Sequence, residues 1–192
     1  MVAHRMGIIS AAVVIGLLTA AVAPAEGALS GSATISSVPS GGNFLYTVIL
    51  TNTGTTNIGT FWFAWTPPGA PFEYDFLPTL PSATSQPTGW FGPTSVGSPG
   101  NSIEYYSQAG SEIAPGQSGT FGFTTTDTPT QLKGTSLGFP ITESFIYAGQ
   151  PEVGSFAQVN PVFVSVPEPT SLGLLALGCA GLAVRRRIKV RA

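Results

Sequence analysis

The sequence has almost no histidine or cysteine, and neither residue lies in its middle. The only histidine is His4, close to the N-terminus, and the only cysteine is Cys179, close to the C-terminus. The residues between them therefore cannot form a Ser-His-Asp or Cys-His nucleophilic site, a zinc site with histidine or thiolate ligands, or a disulfide. We expect this middle part to be stabilised by its own hydrophobic core, since about 140 residues are enough to bury one.

Basic residues are almost as scarce between the two ends. Of the seven lysines and arginines, only Lys133 lies within residues 26–166, which carry eight carboxylates and hence a net charge of −7. An acidic segment of this kind offers no electrostatic attraction to nucleic acid or to anionic lipid. We therefore expect neither as a partner.

The N-terminus has the layout of a secretory signal peptide. A weakly basic start that includes Arg5 is followed by an apolar run over residues 6–23 and then by small residues. The pattern predicts cleavage between Ala25 and Glu26. Cleavage after Ala23 fits less well because it would leave a proline next to the cut, and an uncleaved anchor is the other alternative because eighteen apolar residues can span a bilayer.

The C-terminal segment combines three unlike features in a fixed order. The motif Pro167-Glu168-Pro169 is followed by an uncharged apolar run over residues 171–184, and three arginines close the run at 185–187. The prolines end the preceding fold because they fix φ and bias the residue before them toward extended structure. The run spans about 21 Å as a helix, and flanking residues and snorkelling arginines extend it toward the roughly 30 Å of a bilayer core. We predict a short transmembrane helix with its arginines in the cytoplasm; a buried core helix does not fit those arginines.

This order of features resembles the PEP-CTERM sorting signal of bacterial exported proteins. The resemblance implies that exosortase, a membrane enzyme with a cysteine nucleophile, recognises the tail and removes it. It also implies export by the secretion machinery, a transient anchor in the inner membrane through residues 171–184, and delivery to the cell surface or extracellular matrix. Without an exosortase the tail would be a permanent anchor. The implied recognition residues are Pro167, Glu168, Pro169, Arg185, Arg186 and Arg187.

The strongest strand pattern in the middle lies at residues 44–51, and a second one follows at residues 58–65. Both alternate as the two faces of a β-strand do. The residues between them are polar and predict a loop, so we expect the two strands to form a hairpin. In the second strand, alternation places Trp65 on the face of the two phenylalanines and Trp62 on the opposite face.

Prolines are concentrated in residues 67–100, which contain eight of them. Such a density is incompatible with central strands, so we predict a long irregular segment with one short strand around residues 89–91. Elsewhere, turn signals such as Pro115-Gly116 and the sequence at 127–129 separate short strands. Those strands are predicted at residues 33–38, 102–107, 120–126, 137–147 and 153–166.

About seven to nine short strands with frequent turns predict one all-β domain, an antiparallel β-sandwich of Greek-key, immunoglobulin-like or jelly-roll-like form. The chain then divides into three parts. They are a signal peptide at residues 1–25, an exported domain at 26–165 and a sorting tail at 166–192. We expect a helix in each terminal part.

Two short sequence motifs in the middle of the chain resemble those of cellulose-binding-type carbohydrate-binding modules. They are the Thr-Asn-Thr-Gly loop at residues 51–54 and the phrase Pro-Gly-Gln-Ser-Gly-Thr-Phe-Gly-Phe at residues 115–123. The resemblance covers residues 44–123 and implies an extracellular β-sandwich with an ability to bind glycans. The cysteine pair that many such modules carry is missing here.

Glycan binding requires exposed aromatic rings, on which the C–H faces of sugars stack. The candidates are Trp90, Trp62 and Phe91, of which Trp90 is the best because it lies in the proline-rich segment; alternatively, the tryptophans fill the core. Glu73 and Asp75 are a candidate Ca²⁺ or glycosidase pair. No third ligand is evident for them, so we expect two solvated acids on a loop and no metal site.

The sequence thus predicts an exported, non-enzymatic protein of the cell surface or extracellular polymer matrix, without a cofactor. The alternative is a glycan-binding module whose partner is extracellular polysaccharide. A hydrolase that uses carboxylates alone is the third and least favoured hypothesis, because no motif fixes two acids in position.

Overall fold

The residues described by the computed structural model form an all-β domain, as predicted. They are residues 27–67, 75–97, 99–136, 138–150 and 153–165. A five-stranded sheet and a six-stranded sheet enclose one hydrophobic core, and a separate two-stranded sheet completes the domain. This arrangement is a β-sandwich.

The elements of the described ranges, thirteen strands and a short helix, follow each other in chain order. They are β1 (Gly31–Ser40), β2 (Asn43–Asn52), β3 (Thr60–Phe63), β4 (Ala83–Ser85), β5 (Trp90–Phe91), β6 (Thr94–Val96), β7 (Asn101–Ser107), β8 (Ser118–Thr125), α1 (Pro129–Leu132), β9 (Thr135–Ser136), β10 (Phe139–Pro140), β11 (Phe145–Tyr147), β12 (Phe156–Gln158) and β13 (Val162–Phe163).

The first sheet has the strand order β13-β1-β2-β8-β4, and the second has the order β12-β11-β3-β7-β5, with β6 also paired to β7. Neighbouring strands are antiparallel except for β13, which runs parallel to β1 at the edge of the first sheet. The described residues form thirteen strands, more than the predicted seven to nine, because eight of the thirteen have only two or three residues; two of those eight, β9 and β10, form the separate sheet.

The predicted hairpin between residues 44–51 and 58–65 is wrong. β2 pairs instead with β1 over ten residue pairs, through a two-residue turn at Gly41 and Gly42. Both glycines have positive φ angles, 57° and 86°, which suit the tight turn of a hairpin. The chain after β2 crosses to the second sheet, where β3 lies between β7 and β11.

Asn52 explains why the chain crosses at this point. Its side chain is fully buried, and its amide nitrogen donates 2.8 Å hydrogen bonds to the carbonyl oxygens of Thr56 and Ile113. Its side-chain oxygen accepts a 3.0 Å bond from the backbone nitrogen of Gly54. The Asn52 side chain therefore fixes the Thr-Asn-Thr-Gly loop against the turn before β8. The loop connects β2 in the first sheet to β3 in the second, so these two strands do not pair with each other.

The core between the sheets is rich in aromatic rings. Tyr46 and Phe121 extend inward from the first sheet, and Phe61, Phe63 and Tyr105 extend inward from the second. The buried residues of this core all lie between positions 33 and 159. Residues 26–165 therefore contain the whole described core, and we expect them to fold without the two ends of the chain.

The proline-rich segment contains more strand than predicted. The short edge strands β4, β5 and β6 all lie in it, where one strand was expected. The prolines between them keep each strand to two or three residues, which is compatible with an edge but not with the centre of a sheet.

Two predicted turns have different outcomes. Pro115-Gly116 forms a turn in which Gly116 has a positive φ of 75°, as the sequence indicates. The turn predicted at 127–129 instead begins the four-residue helix α1, because Thr128 and Gln131 form a capping box.

No helix within the described ranges is both long enough and apolar enough to cross a membrane. The helices predicted in the signal peptide and at residues 171–184 lie outside those ranges.

We expect Asn52→Ala to reduce the free energy of unfolding of residues 26–165 by about 3 kcal/mol, because it leaves buried carbonyl groups without a donor. Urea denaturation measures the effect, and Asn57→Ala, an exposed position in the same loop, is the matched control. A loss below about 0.5 kcal/mol, the size of an ordinary surface substitution, would show that Asn52 does not fix this crossing.

Candidate functional site

The outward face of the second sheet carries a row of side chains in register across five strands. Phe156 pairs with Tyr147, Tyr147 with Thr60, Thr60 with Tyr106, and Tyr106 with Phe91. Four of these five residues are aromatic. At about 4.8 Å between strands, the row is about 19 Å long, which is the length of several sugar rings.

The next row on the same face pairs Phe145 with Trp62 and Trp62 with Glu104. Phe145 and Trp62 are both half-buried. We refer to the outward side of the second sheet as the aromatic face. Its exposed or half-buried rings are Trp62, Phe91, Tyr106, Phe145 and Phe156.

The two ends of the first row are exposed, and its centre is covered. Phe91 is 42% exposed and packs on Tyr106 at a centroid distance of 5.2 Å. Phe156 is 55% exposed and lies 6.0 Å from Phe145. Between these ends, Thr60 is buried and donates a 2.7 Å hydrogen bond to the carbonyl oxygen of Gly149 in the loop after β11.

Trp62 and Trp65 stack in parallel, with centroids 3.9 Å apart and an interplanar angle of 8°. The predicted placement of Trp65 on the face of the two phenylalanines is therefore wrong. Ala64 is the reason, because its positive φ of 57° interrupts the alternation of the strand. Two hydrogen bonds hold the backbone of Ala64 in this conformation. Its nitrogen donates to Ser144 Oγ, and its carbonyl oxygen accepts from the nitrogen of Phe76.

The tryptophan pair is connected to a buried carboxyl group. The indole nitrogen of Trp62 donates a 2.8 Å hydrogen bond to Ser102 Oγ, and Ser102 also hydrogen-bonds to the side chain of Asp75. Asp75 forms a β-bridge with Trp65. It is only 5% exposed, so the prediction that it is a solvated loop residue is wrong; its predicted partner Glu73 lies outside the described residues.

A second buried carboxyl group, that of Glu143, belongs to the chain on the other side of Trp65. Its backbone oxygen accepts a 2.9 Å bond from the nitrogen of Trp65, and its Oε1 accepts a 2.8 Å bond from Gln158 Nε2. Within the described part of the chain, Glu143 Oε2 and Asp75 Oδ1 are buried without a hydrogen-bond partner. Burial raises the pKa of both carboxyl groups, although the bond from Ser102 opposes the shift in Asp75.

Trp90 lies on the opposite side of β5 from Phe91. It is 5% exposed, its indole nitrogen donates a 2.7 Å hydrogen bond to the carbonyl oxygen of Ser111, and its ring meets Phe121 edge-on at 5.1 Å. It forms a wall of a cleft of about 240 Å³ that Glu112 and Gln117 also line. Of the three predicted glycan contacts, the structure thus brings Trp62 and Phe91 to the aromatic face and places Trp90 in the core.

The sequence did not single out Phe145 and Phe156 because their strands have only three residues and show no alternation. Only the pairing of β11 and β12 with β3 brings them beside Trp62. No group of three His, Cys, Asp or Glu side chains that could hold a metal ion occurs among the described residues.

The predicted processing residues lie outside the described ranges. They are Ala25 and Glu26 at the signal cleavage site, and Pro167, Glu168, Pro169, Arg185, Arg186 and Arg187 in the tail.

Comparison with known proteins identifies the tail. Residues 165–187 match the model of the PEP-CTERM protein-sorting motif, which confirms the predicted resemblance. No curated protein was found to match the chain in sequence.

Several solved structures resemble parts of this fold, including these two. A GH20 exo-β-N-acetylglucosaminidase from Vibrio harveyi, in complex with N-acetylglucosamine, is 12% identical over 72% of this chain, with a TM-score of 0.45. The match spans 19% of that enzyme, about a fifth of its length. The CBM3 of Hungateiclostridium clariflavum is 12% identical over 64% of this chain and 95% of its own, with a TM-score of 0.37. Scores this low carry no argument about function.

We expect residues 26–165 to become more stable when the pH is lowered from 7 toward 5. Because the folded pKa of Asp75 and Glu143 is raised, the folded state binds more protons than the unfolded state between the ordinary carboxyl pKa and the raised one. The free energy of unfolding therefore rises as the pH falls through this window. Thermal melts should show a smaller pH dependence for Asp75→Asn and Glu143→Gln than for the wild type.

Glu112→Gln, in a loop away from Trp65, is the control for these melts and should keep the pH dependence of the wild type. An identical pH dependence in the wild type and in both Trp65-flanking variants would contradict the account of these two carboxyl groups.

Proposed function

We propose that this chain is an exported, non-enzymatic protein of the cell surface or extracellular polymer matrix, which an exosortase sorts and cleaves at its C-terminal tail. The observation that carries the proposal is the PEP-CTERM protein-sorting motif at residues 165–187. The motif begins two residues after β13 ends at Phe163, so the sorting tail directly follows the folded domain.

The steps of sorting follow from the order of the three parts. The secretion machinery exports residues 26–165, and signal cleavage separates Ala25 from Glu26. The apolar run at residues 171–184 then stops in the inner membrane, with the basic end in the cytoplasm. Exosortase recognises the motif and the basic end, namely Pro167, Glu168, Pro169, Arg185, Arg186 and Arg187.

The composition supports a role without catalysis. His4 and Cys179 lie in the two parts that processing removes, so the delivered domain has no imidazole and no thiol for acid-base or nucleophilic chemistry. Three carboxyl groups of the described residues are buried: those of Asp75 and Glu143 lie on either side of Trp65, and that of Asp127 accepts hydrogen bonds from Thr79.

We expect Glu168→Ala to abolish conversion of the chain to a shorter form in a host that contains an exosortase. Immunoblots of membrane and extracellular fractions measure the conversion. The variant should accumulate in the membrane fraction with its tail, because the recognition motif is lost. The control Glu112→Ala, a carboxylate of the delivered domain, should be processed like the wild type, and equal processing of both variants would contradict recognition of the motif.

Binding of glycan is a second candidate function, and the aromatic face supports it. Exposed aromatic surface costs free energy in water unless a ligand covers it, and Phe91 and Phe156 both lie on this face. Trp62 adds a half-buried ring between them, with its indole nitrogen bonded to Ser102. Flat sheets of rings offer stacking surfaces to the C–H faces of sugars.

The negative charge of the domain favours neutral glycans over acidic ones. Residues 26–166 carry a net charge of −7 and only one lysine, so they repel acidic polysaccharides. Glu104 lies on the aromatic face itself, in register with Trp62, and it can accept hydrogen bonds from sugar hydroxyl groups. We therefore propose neutral polysaccharide as the ligand.

We expect Phe91→Ala and Phe156→Ala each to weaken the retention of residues 26–165 by neutral polysaccharide roughly fivefold, since a covered ring contributes on the order of 1 kcal/mol. Affinity electrophoresis on a panel of neutral and acidic polysaccharides measures retention. The control is Val96→Ala, because Val96 is 74% exposed on β6 but pairs with Asn101, away from the aromatic rows. Unchanged retention of two stably folded ring variants would remove the aromatic face as a glycan site.

A further inference from the structure

The outward face of the first sheet has no charged side chain. None of the five strands β13, β1, β2, β8 and β4 contains Asp, Glu, Lys or Arg. Its outward positions hold serines, threonines, one asparagine, one glycine, one alanine and four aliphatic residues that are 45–64% exposed. We refer to this surface as the uncharged face. Its aliphatic residues are Val38, Leu45, Ile49 and Val162.

The aliphatic residues form two ridges because the strand register aligns them. Val38 pairs directly with Leu45 in one row, while Val162 and Ile49 both pair with Thr34 in another. Both ridges run across the strands, and the row between them holds small residues only.

A groove of about 280 Å³ lies beside the ridge that contains Leu45. Gly122, which pairs with Thr47 on one side and with Ser85 on the other, adds no side chain between them; a Cβ atom there would lie 2.6 Å from Ser85 Oγ. Thr47 and Thr124 line its sides. The groove can therefore receive an aliphatic side chain, and the face offers both a ridge and a groove for it.

We propose that a second copy of this chain docks on the uncharged face, in a symmetric dimer in which the two faces meet. A twofold interface requires each surface to complement itself, and a ridge next to a groove meets that requirement. The face carries no charge to attract an ionic partner, and no aromatic residue at an outward position to stack on a sugar.

The distribution of charge also selects this face for contact between copies. Two domains with a net charge of −7 repel each other wherever their carboxylates meet. Of the described carboxylates, Glu104 lies on the aromatic face, Glu112 lies in the loop before β8, and Asp75 and Glu143 lie beside Trp65. The fifth, Asp127, is buried just after β8 and accepts hydrogen bonds from Thr79. None of these described carboxylates lies at an outward position of the first sheet, so two copies that meet on the uncharged face keep them apart.

The size of the face indicates a weak dimer. The five strands of this sheet have 33 residues in all, and at about 3.3 Å per residue and about 4.8 Å between strands they cover roughly 500 Å² per partner. A standard stable interface buries about 800 Å² per partner. We therefore expect association in the range of tens to hundreds of micromolar, which matters at the high local concentration of a surface layer or matrix.

Sedimentation velocity on residues 26–165 tests the proposal, from about 10 μM to about 1 mM protein. The average mass should rise from that of a monomer toward that of a dimer. It should rise further when salt is increased from about 0.02 M to about 0.3 M, because screening reduces the repulsion between the acidic copies. A monomer at all concentrations, or association that weakens with added salt, would overturn the proposal.

Substitution of Leu45 distinguishes a specific face from an effect of net charge. Both Leu45→Glu and Leu45→Lys should weaken association at least tenfold, because each places two like charges in the interface. The controls Val96→Glu and Val96→Lys, at an exposed position of the other sheet, change the net charge equally and should leave association much less affected.

Three results would each overturn the proposal. The first is that the Leu45 variants associate as strongly as the wild type. The second is that Leu45→Glu and Leu45→Lys change association in opposite directions. The third is that the wild type stays monomeric while its Leu45 variants lose retention by polysaccharide. Thermal melts verify that each variant is folded, and Ile49→Lys, on the second ridge, provides an independent test of the same face.

Discussion

The contact between Phe121 of the first sheet and the rings of the second sheet is the interaction on which the rest of the structure depends. Phe121 lies 5.4 Å from Phe61 and 4.8 Å from Tyr105 in centroid distance. Tyr105 also donates a 2.7 Å hydrogen bond across the core to the carbonyl oxygen of Gly122, and burial raises the pKa of its hydroxyl group. Since the middle of the chain has no cysteine, no disulfide assists this packing. The rings therefore hold the two sheets together.

These inward rings also decide what each sheet shows to the outside. Because side chains alternate along a strand, burial of Phe61 and Tyr105 directs Trp62 and Tyr106 outward. In the first sheet, burial of Tyr46 and Val48 in the same way leaves Leu45, Thr47 and Ile49 outside. The two outward faces thus differ in chemistry: one is aromatic with a carboxylate, and the other is uncharged and aliphatic.

Strands could be predicted from the sequence wherever one face is buried over several residues. Residues 44–51, 102–107 and 120–126 show that alternation; β2 and β7 contain the first two segments, and β8 contains all but the last residue of the third. Strand partners could not be predicted, because they depend on where the chain changes sheets. That change is fixed by the buried hydrogen bonds of Asn52, and an asparagine in a polar loop gives no sign in the sequence that it is buried.

The candidate site was predictable only in part for the same reason. Trp62 and Phe91 follow from simple alternation, whereas Trp65 does not, because the positive φ of Ala64 has no signature in an alanine. Burial of Asp75 depends on its β-bridge to Trp65. This bridge lies outside the named strands, so no alternation of side chains along a strand could predict it. The tail is different, because a linear recognition motif is read directly from the chain and needs no fold.

The central claim is that the two terminal segments direct export and sorting, and that the acidic β-sandwich between them is the part delivered to the cell surface or extracellular matrix. Intact-mass spectrometry of the protein isolated from the surface or medium of an exosortase-containing host tests this claim most directly. The account predicts a chain that begins at or near Glu26 and ends close to the motif at 167–169, without the apolar run and the arginines. Recovery of a chain that retains residues 171–192 would contradict it.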